Sequence, residues 1–155
     1  MRLDTRRPTM RGVSSFMAIS SPDATSPTRV ADVMRWGLVS CPADASLERV
    51  ARLMSTEQVH CVVVMDAASE AGSLWGVVSD LDLVAAASVR QLGEQRAGGT
   101  AMTPAVTIAP SESLDVAARL MTRWGVAHLV VVDPVERRPL GVLSTLDLAG
   151  ALSAA

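Results

Sequence analysis

The sequence predicts an α+β fold in which two copies of one β-α-β-β-α unit are related by a pseudo-twofold axis. The first observation is a gapless repeat, since SLERVARLMSTEQVHCVVVMD at 46–66 aligns with SLDVAARLMTRWGVAHLVVVD at 113–133 at a constant offset of 67. Ten of these 21 aligned positions are identical. The second is an octapeptide that occurs twice, as GVVSDLDL at 76–83 and GVLSTLDL at 141–148. The third is that apolar residues change between helical and strand spacing in the same order in each copy.

Each copy opens with a β-prone stretch that is followed by an amphipathic helix. The stretches are 38–41 and 105–108. A proline near the end of each stretch should end the strand, because proline lacks the N–H that a sheet hydrogen bond needs. Ser46 and Ser113 suit the N-cap of a helix, since a serine oxygen accepts a hydrogen bond from a free N–H of the first turn. Intervals of three, four and seven place the next apolar residues on one helical face. They are Leu47, Val50, Ala51 and Met54 in the first copy, and Leu114, Ala117, Ala118 and Met121 in the second.

A hairpin and a second helix complete each copy. Residues 61–66 and 128–133 are rich in β-branched side chains and show no polar alternation, which indicates strands buried on both faces. A loop leads from each run to a third strand, at 74–79 and 139–144, and the Ser-x-x-Asp step that follows predicts a helix start. A half of about 60 residues buries too little surface to be stable by itself. We therefore expect the two sheets to face each other.

The chain divides into four segments. Residues 1–28 contain four arginines followed by a Ser/Pro/Thr-rich stretch, and they lack the continuous apolar run of a secretory signal. This composition predicts a disordered N-terminal arm. The first repeat unit then spans 29–92, the Gly-rich stretch GEQRAGG at 93–99 forms a linker, and the second unit spans 100–155.

Composition and charge limit the classes of function. The 14 basic residues are all arginine and stand against 16 acidic residues, so the chain lacks the basic surface that nucleic-acid binding needs. No apolar run approaches the ~20 residues of a membrane-spanning helix. The two cysteines form no C-x-x-C pair, which is typical of a reduced, cytoplasmic protein without a metal centre. No Ser-His-Asp, Cys-His or paired-carboxylate pattern emerges, so we expect a protein that is not an enzyme.

The two Ser-x-x-Asp steps have two interpretations. Ser79 with Asp82, and Ser144 with Asp147, match a capping box, in which both side chains satisfy backbone N–H groups at a helix start. The same pattern suits a ribose phosphate, because a helix N-terminus and a serine hydroxyl attract an anion while a carboxylate accepts hydrogen bonds from sugar hydroxyls. A glycine three residues before each serine permits the close approach of a backbone. The residues by themselves leave both interpretations open.

Together these features resemble a known family, the cystathionine-β-synthase (CBS) domain, in the tandem arrangement called a Bateman module. The resemblance spans residues 29–152, and both octapeptides fit the family's Gly-hydrophobic-x-Ser/Thr-x-x-Asp signature. It implies a non-enzymatic regulatory module, with a role in energy sensing, that binds AMP, ADP, ATP, NAD or S-adenosylmethionine in clefts between the two domains. It also implies a homodimer that acts on a regulated partner protein.

The resemblance further implies roles for individual residues. Ser79 and Ser144 would contact phosphate, and Asp82 and Asp147 would hold the ribose. Many family members carry Arg-His-Leu-Pro-Val on the second strand, but the arginine and the proline are absent from both copies here, which argues against polyphosphate nucleotides. The adenine would lie in an apolar slot formed by Val106, Thr107 and Leu129 beside Asp82, and by Val39, Ser40 and Val62 beside Asp147.

Two other functions are compatible with the same residues. In the first, the chain is a structural interaction module, and the Ser-x-x-Asp motifs serve only as helix caps. In the second, Cys41, Cys61 and His60 form a thiol or metal sensor.

Two further pairs of residues are of interest. His60 and His128 are offset by one residue in the repeat alignment, which predicts that they point to opposite faces of their strands. Trp36 and Trp124 fit either a ligand contact or a dimer contact.

Overall fold

Two small sheets with helices on their outer faces make up the fold in a computed structural model, which describes residues 28–68 and 72–154. Apart from its last residue, the predicted N-terminal arm lies outside the described residues. The strands are β1 (Arg35–Trp36), β2 (Ser40–Pro42), β3 (Cys61–Asp66), β4 (Ser73–Ser79), β5 (Thr107–Ile108), β6 (His128–Val132) and β7 (Pro139–Ser144). The helices are α1 (Val30–Val33), α2 (Leu47–Glu57), α3 (Asp80–Ala87), α4 (Ala97–Thr100), α5 (Leu114–Trp124) and α6 (Thr145–Ser153), with a 3-10 turn at Leu92–Glu94.

Each sheet contains the same arrangement of three strands. In the first sheet, ordered β2-β3-β4, β2 is parallel to β3 and β3 is antiparallel to β4. In the second, ordered β1-β7-β6-β5, β5 is parallel to β6 and β6 is antiparallel to β7. Helices α2 and α5 provide the crossovers that parallel strands require, and α3 and α6 follow the hairpins. The predicted fold class and the β-α-β-β-α order of both copies are confirmed.

The first helix of each copy starts where its sequence pattern predicts, but the predicted apolar face is buried only in part, since Ala51 and Leu114 are half-buried and Ala118 is exposed. The Ser46 hydroxyl oxygen accepts a hydrogen bond from the Arg49 backbone N at 3.3 Å, and the Ser113 oxygen accepts one from the Val116 N at 3.4 Å. Both α2 and α5 are 11 residues long. None of the described helices is long and apolar enough to cross a membrane. The apolar face of each helix packs on its sheet through buried side chains, which are Leu47, Val50 and Met54 on α2, and Ala117 and Met121 on α5.

The central strand of each sheet is buried on both faces. On β3, Val62 and Val64 pack beneath α2 and α3, whereas Val63 points toward the other sheet. On β6, Leu129 packs beneath α5 and α6, whereas Val130 points toward the other sheet. All five side chains have 0% exposure. The inward-pointing residues of the two sheets form one apolar cluster, which confirms that the sheets face each other.

The segment that precedes each copy packs on the other copy, which the repeat does not predict. Strand β1 pairs with β7 of the second sheet, with Arg35 opposite Val142. In the equivalent place on the first sheet, Met102 and Val77 exchange backbone hydrogen bonds of 2.9 and 3.2 Å. Contacts therefore cross the domain limits at 92 and 100 in both directions, and those limits stay predictions. These reciprocal backbone contacts link the two copies.

Candidate functional site

A capping box forms the start of α6. The backbone N and the hydroxyl of Ser144 both donate to Oδ2 of Asp147 at 2.7 Å, and the Asp147 N donates to the Ser144 oxygen at 3.1 Å. Ser79 and Asp82 make the same three hydrogen bonds at the start of α3, at 2.7, 2.7 and 3.2 Å. The capping interpretation of the two motifs therefore holds in both copies.

The capping box leaves part of each carboxylate unused. Oδ2 of Asp82 and of Asp147 accepts the capping hydrogen bonds, and no described residue donates to the Oδ1 atoms. Both aspartates are half-buried. One oxygen can thus hold the helix start while the other accepts hydrogen bonds from a ligand, and the two interpretations of the motif do not exclude each other.

A cavity of about 540 Å³ lies beside the Asp147 carboxylate. This volume falls within the range typical of sites for small molecules and cofactors. Both copies contribute to its wall, because the exchanged β1 segment brings the first copy's leading residues onto β7. The lining consists of residues 35–39 and 57–61 from the first half of the chain, and of His128, Val142, Ser144, Leu146 and Asp147 from the second.

The predicted site residues divide between this cavity and the core. Ser144, Asp147 and Val39 line the cavity together. Ser40, on β2, is exposed and is not part of the lining, and Val62 is fully buried beneath α2. The adenine contacts expected from Ser40 and Val62 stay predictions.

The predicted residues of the other cleft are more dispersed. Ser79 and Asp82 are half-buried at the start of α3. Val106 is half-buried and packs against the core of the second copy, Thr107 is exposed, and Leu129 has 0% exposure within that core. The residues expected around Asp82 therefore form a less well defined wall than those of the Asp147 cavity. Their ligand contacts also stay predictions.

Besides Asp147, the charged or titratable side chains that line the cavity were not assigned to it from the sequence; they are Arg35, Glu57, His60, Cys61 and His128. Arg35 lines it because β1 pairs with β7, a tertiary contact that leaves no local signal. His60 and His128 were expected on opposite strand faces, but both line this one cavity. His60 precedes β3 rather than lying on it, so strand alternation does not determine its direction.

The electrostatics of the two histidines differ. Nδ1 of His60 lies 3.0 Å from Oδ2 of Asp80, and this hydrogen bond lowers the pKa of the Asp80 carboxyl. His128 is half-buried, and its side chain makes no hydrogen bond to a described residue. Burial lowers the pKa of His128 below its usual 6.5, although the nearby Asp80, Asp147 and Asp82 act in the opposite direction. At pH 7 the cavity therefore contains a neutral His128 ring.

The two cysteines are free and buried. Burial raises the pKa of the Cys41 thiol, and it raises the pKa of the Cys61 thiol to about 12. Within residues 28–68 and 72–154, no group of three or more His, Cys, Asp and Glu side chains has the geometry to hold a metal ion. This arrangement gives no support to a sensor built from Cys41, Cys61 and His60.

We expect both thiols of the folded protein to react slowly with a chromogenic aromatic disulfide at pH 8. Burial raises the pKa of both thiols, to about 12 for Cys61, so few of them are ionised at that pH, and the thiolate is the reactive species. In denaturing urea, both cysteines should react at the rate of an exposed thiol. Rapid modification of either cysteine in the folded protein would instead favour the thiol sensor.

Comparison with known proteins agrees with this architecture. The CBS domain family model matches residues 30–89 and 99–154. No curated protein matches the chain in sequence. The CBS domain pair of protein MJ0100, in complex with 5′-methylthioadenosine and S-adenosyl-L-methionine, has a TM-score of 0.74 at 19% identity, over 83% of this chain and 98% of that chain.

Two other solved structures have the same fold. CBSX2 in complex with AMP has a TM-score of 0.66 at 24% identity, over 81% of this chain and 96% of that one. A hexameric CBS-CP12 protein from bloom-forming cyanobacteria has a TM-score of 0.73 at 20% identity, over 81% of this chain and 72% of that one. The two segments matched by the family model coincide with the two structural copies, and the chain therefore belongs to the CBS domain family as a tandem pair of CBS domains.

Proposed function

We propose that this protein is a non-enzymatic regulatory module that binds an adenosine-containing ligand in the cavity beside Asp147. The observation that carries the proposal is the convergence, in one cavity between the two CBS domains, of a carboxylate oxygen to which no described residue donates, a helix N-terminus and an apolar wall. AMP, ADP, ATP, NAD and S-adenosylmethionine are the candidate ligands. MJ0100 in complex with S-adenosyl-L-methionine, and CBSX2 in complex with AMP, support this class of ligand.

Each part of such a ligand has a chemical counterpart in the cavity. Oδ1 of Asp147 is positioned to accept hydrogen bonds from the ribose hydroxyls, while Oδ2 continues to cap α6. The N-terminus of α6 and Ser144 face the side where a phosphate would lie, and the Arg35 guanidinium adds a positive charge. Val39 and the indole of Trp36, which is 59% exposed, provide apolar surface for the adenine.

Regulation would arise from the position of the cavity between the domains. A ligand there would contact residues 57–61 of the first domain and the α6 start of the second, and its binding free energy would favour one relative orientation of the two. Such a change can alter the affinity for a partner protein, whose identity the chain does not reveal. We further propose a homodimer, because α3 and α6 expose apolar side chains on their outer faces. These include Leu81, Val84 and Leu152, each between 68% and 73% exposed.

A structural interaction module is the second candidate function. The observation in its favour is that both capping boxes are complete without a ligand. Under this function, removal of either aspartate lowers stability by about 1 kcal/mol, as loss of a helix cap does, and has no other consequence.

Substitution of the two aspartates separates the candidate functions. Asp147→Ala should weaken AMP binding about 10- to 100-fold, because charge-assisted hydrogen bonds to a ribose contribute about 1.5–3 kcal/mol. Asp82→Ala removes an equivalent cap and is the matched control, with an AMP affinity close to that of the native protein. Isothermal titration calorimetry would give both affinities, and thermal unfolding would give both stabilities.

The outcomes of this experiment are distinct. Equal loss of stability in the two variants together with a selective loss of AMP affinity in Asp147→Ala would support the proposed site. If AMP, ADP, ATP, NAD and S-adenosylmethionine all leave the melting temperature unchanged at millimolar concentration, the adenosine-binding proposal is wrong and the structural module remains.

A further inference from the structure

We propose that the Asp147 cavity is a proton-linked anion site, in which binding of a ligand's anionic group is coupled to protonation of His128. The cavity would then bind AMP or inorganic phosphate more tightly at pH 6 than at pH 8, and it would bind an uncharged nucleoside without this dependence. The inference builds on the proposed function, because it concerns the same cavity.

The cationic side chains are present at only one of the two pseudo-equivalent positions. The repeat offset of 67 places Met102 at the position of Arg35, and Ala127 at the position of His60. The structure agrees with the first of these pairs, since Arg35 lies against Gly141 and Met102 lies against the equivalent Gly76. The repeat positions that correspond to Arg35 and His60 are therefore uncharged in the second copy.

His128 is the group in this cavity whose charge is open to change. Its ring lines the cavity, is half-buried and makes no hydrogen bond to a described residue. His60, by contrast, is 70% exposed and already paired with Asp80. In the repeat alignment Cys61 occupies the position of His128. The first copy therefore has a thiol where the second copy has an imidazole.

The charged groups around His128 come from several elements. Arg35 of β1 contributes a permanent positive charge to the cavity, and Glu57 at the end of α2 contributes a carboxylate. His60 lies before β3, and the Cys61 thiol of β3 is protonated at neutral pH. The remaining carboxylates that act on His128 are Asp80 and Asp82 of α3 and Asp147 of α6. Despite these carboxylates, burial dominates and keeps the ring neutral at pH 7.

An anion in the cavity reverses this balance. A phosphate held by Arg35 and the start of α6 adds negative charge beside a ring that accepts and donates no hydrogen bond among the described residues, and the protonated ring can donate to it. The pKa of His128 is below 6.5 without ligand, and the anion raises it. Between the two pKa values, binding takes up a fraction of a proton that grows with their separation. Above the higher value no proton is taken up, so affinity falls as the pH rises through that interval.

Calorimetry measures this coupling directly. Binding of AMP at pH 6.5, in two buffers with different ionisation enthalpies and after correction for the titration of the AMP phosphate itself near pH 6, should show a net uptake of part of a proton. The affinity for the AMP dianion should fall about fivefold between pH 6 and pH 8. His128→Gln should abolish both effects while it retains adenosine binding, which shows that the cavity is intact. Arg90→Gln, which changes an exposed side chain outside the cavity lining, is the control that keeps the uptake. AMP binding without proton uptake, or equal uptake in His128→Gln, would overturn the inference.

Histidine NMR separates this inference from the proposed function. The chain contains two histidines, and both line the cavity, so their ring signals report on it without any adenosine ligand. Inorganic phosphate should raise the titration midpoint of His128 by about half a pH unit or more, and Arg35→Met should remove the shift. If phosphate shifts His128 but no adenosine compound binds, the anion site stands and the proposed function fails. If neither phosphate nor AMP moves the midpoint, the coupling itself is wrong.

Discussion

Replacement of Leu129 by alanine should lower the free energy of unfolding by about 2–5 kcal/mol, the usual cost of a leucine deleted from a well-packed core. Leu129 has 0% exposure on β6 and packs with Val131 and Leu143 beneath α5 and α6. The rigid core cannot fill the volume that the side chain leaves. Urea unfolding followed by tryptophan fluorescence would measure the change.

The result also tests the role that the family resemblance implies for Leu129. Val135→Ala is the control, because Val135 is 87% exposed and lies outside the cavity lining, so its truncation should change stability by no more than about 0.5 kcal/mol. If Leu129→Ala leaves stability unchanged and instead weakens binding of an adenosine ligand, Leu129 is a ligand contact and the packing argument is wrong.

Gly141→Ala should destabilise the protein by about 2–3 kcal/mol through overpacking. A Cβ atom at Gly141 would overlap the backbone carbonyl oxygen of Arg35 and would lie 2.6 Å from Cε of Met34. Backbone cannot yield as a flexible side chain does, so β1 would have to move away from β7. Because Arg35 and Trp36 line the cavity, the same substitution should weaken ligand binding in parallel.

Another glycine of the same hairpin and helix unit provides the control for this prediction. Gly150 lies on α6, and a Cβ atom added there would have no neighbour within 4 Å, so Gly150→Ala should raise stability by up to about 1 kcal/mol through helix propensity. Gly76→Ala should behave like Gly141→Ala, because its Cβ would overlap the Met102 carbonyl oxygen. Native-like stability in both Gly76→Ala and Gly141→Ala would contradict the close approach of the exchanged segments.

The local elements were predictable because each depends on a few neighbouring residues. Ser46 and Ser113 cap their helices as their positions indicate, and the apolar stripes that follow them are buried except for the exposed Ala118 and the half-buried Ala51 and Leu114. The central strands were predicted from unbroken apolar runs, because a strand that is buried on both faces has no alternating polar residues. The Ser-x-x-Asp steps likewise formed the helix starts that their spacing indicates, because a capping box is complete within four residues.

The candidate site was predictable only in part. Ser144, Asp147 and Val39 line one cavity, as the family resemblance implies. The burial of Val62 and Leu129 in the cores was harder to predict, because a run of valines does not indicate which side faces a helix and which faces the other sheet. The opposite orientations expected for His60 and His128 stay a prediction, because His60 lies outside the strand to which alternation applies and the consecutive residues His60 and Cys61 both line the cavity.

The amino-acid sequence by itself determined the duplication, the order of elements in each copy and the two helix starts that bear the aspartates. The tertiary structure alone decided that the segment before each copy packs on the other one, and that Arg35 and two histidines meet beside Asp147. The physical reason is distance along the chain. Caps and apolar stripes arise from residues within a few positions of one another. The pairing of β1 with β7 joins residues more than 100 positions apart. It depends on a free edge of the second sheet and on Gly141, which leaves room for the backbone of Arg35.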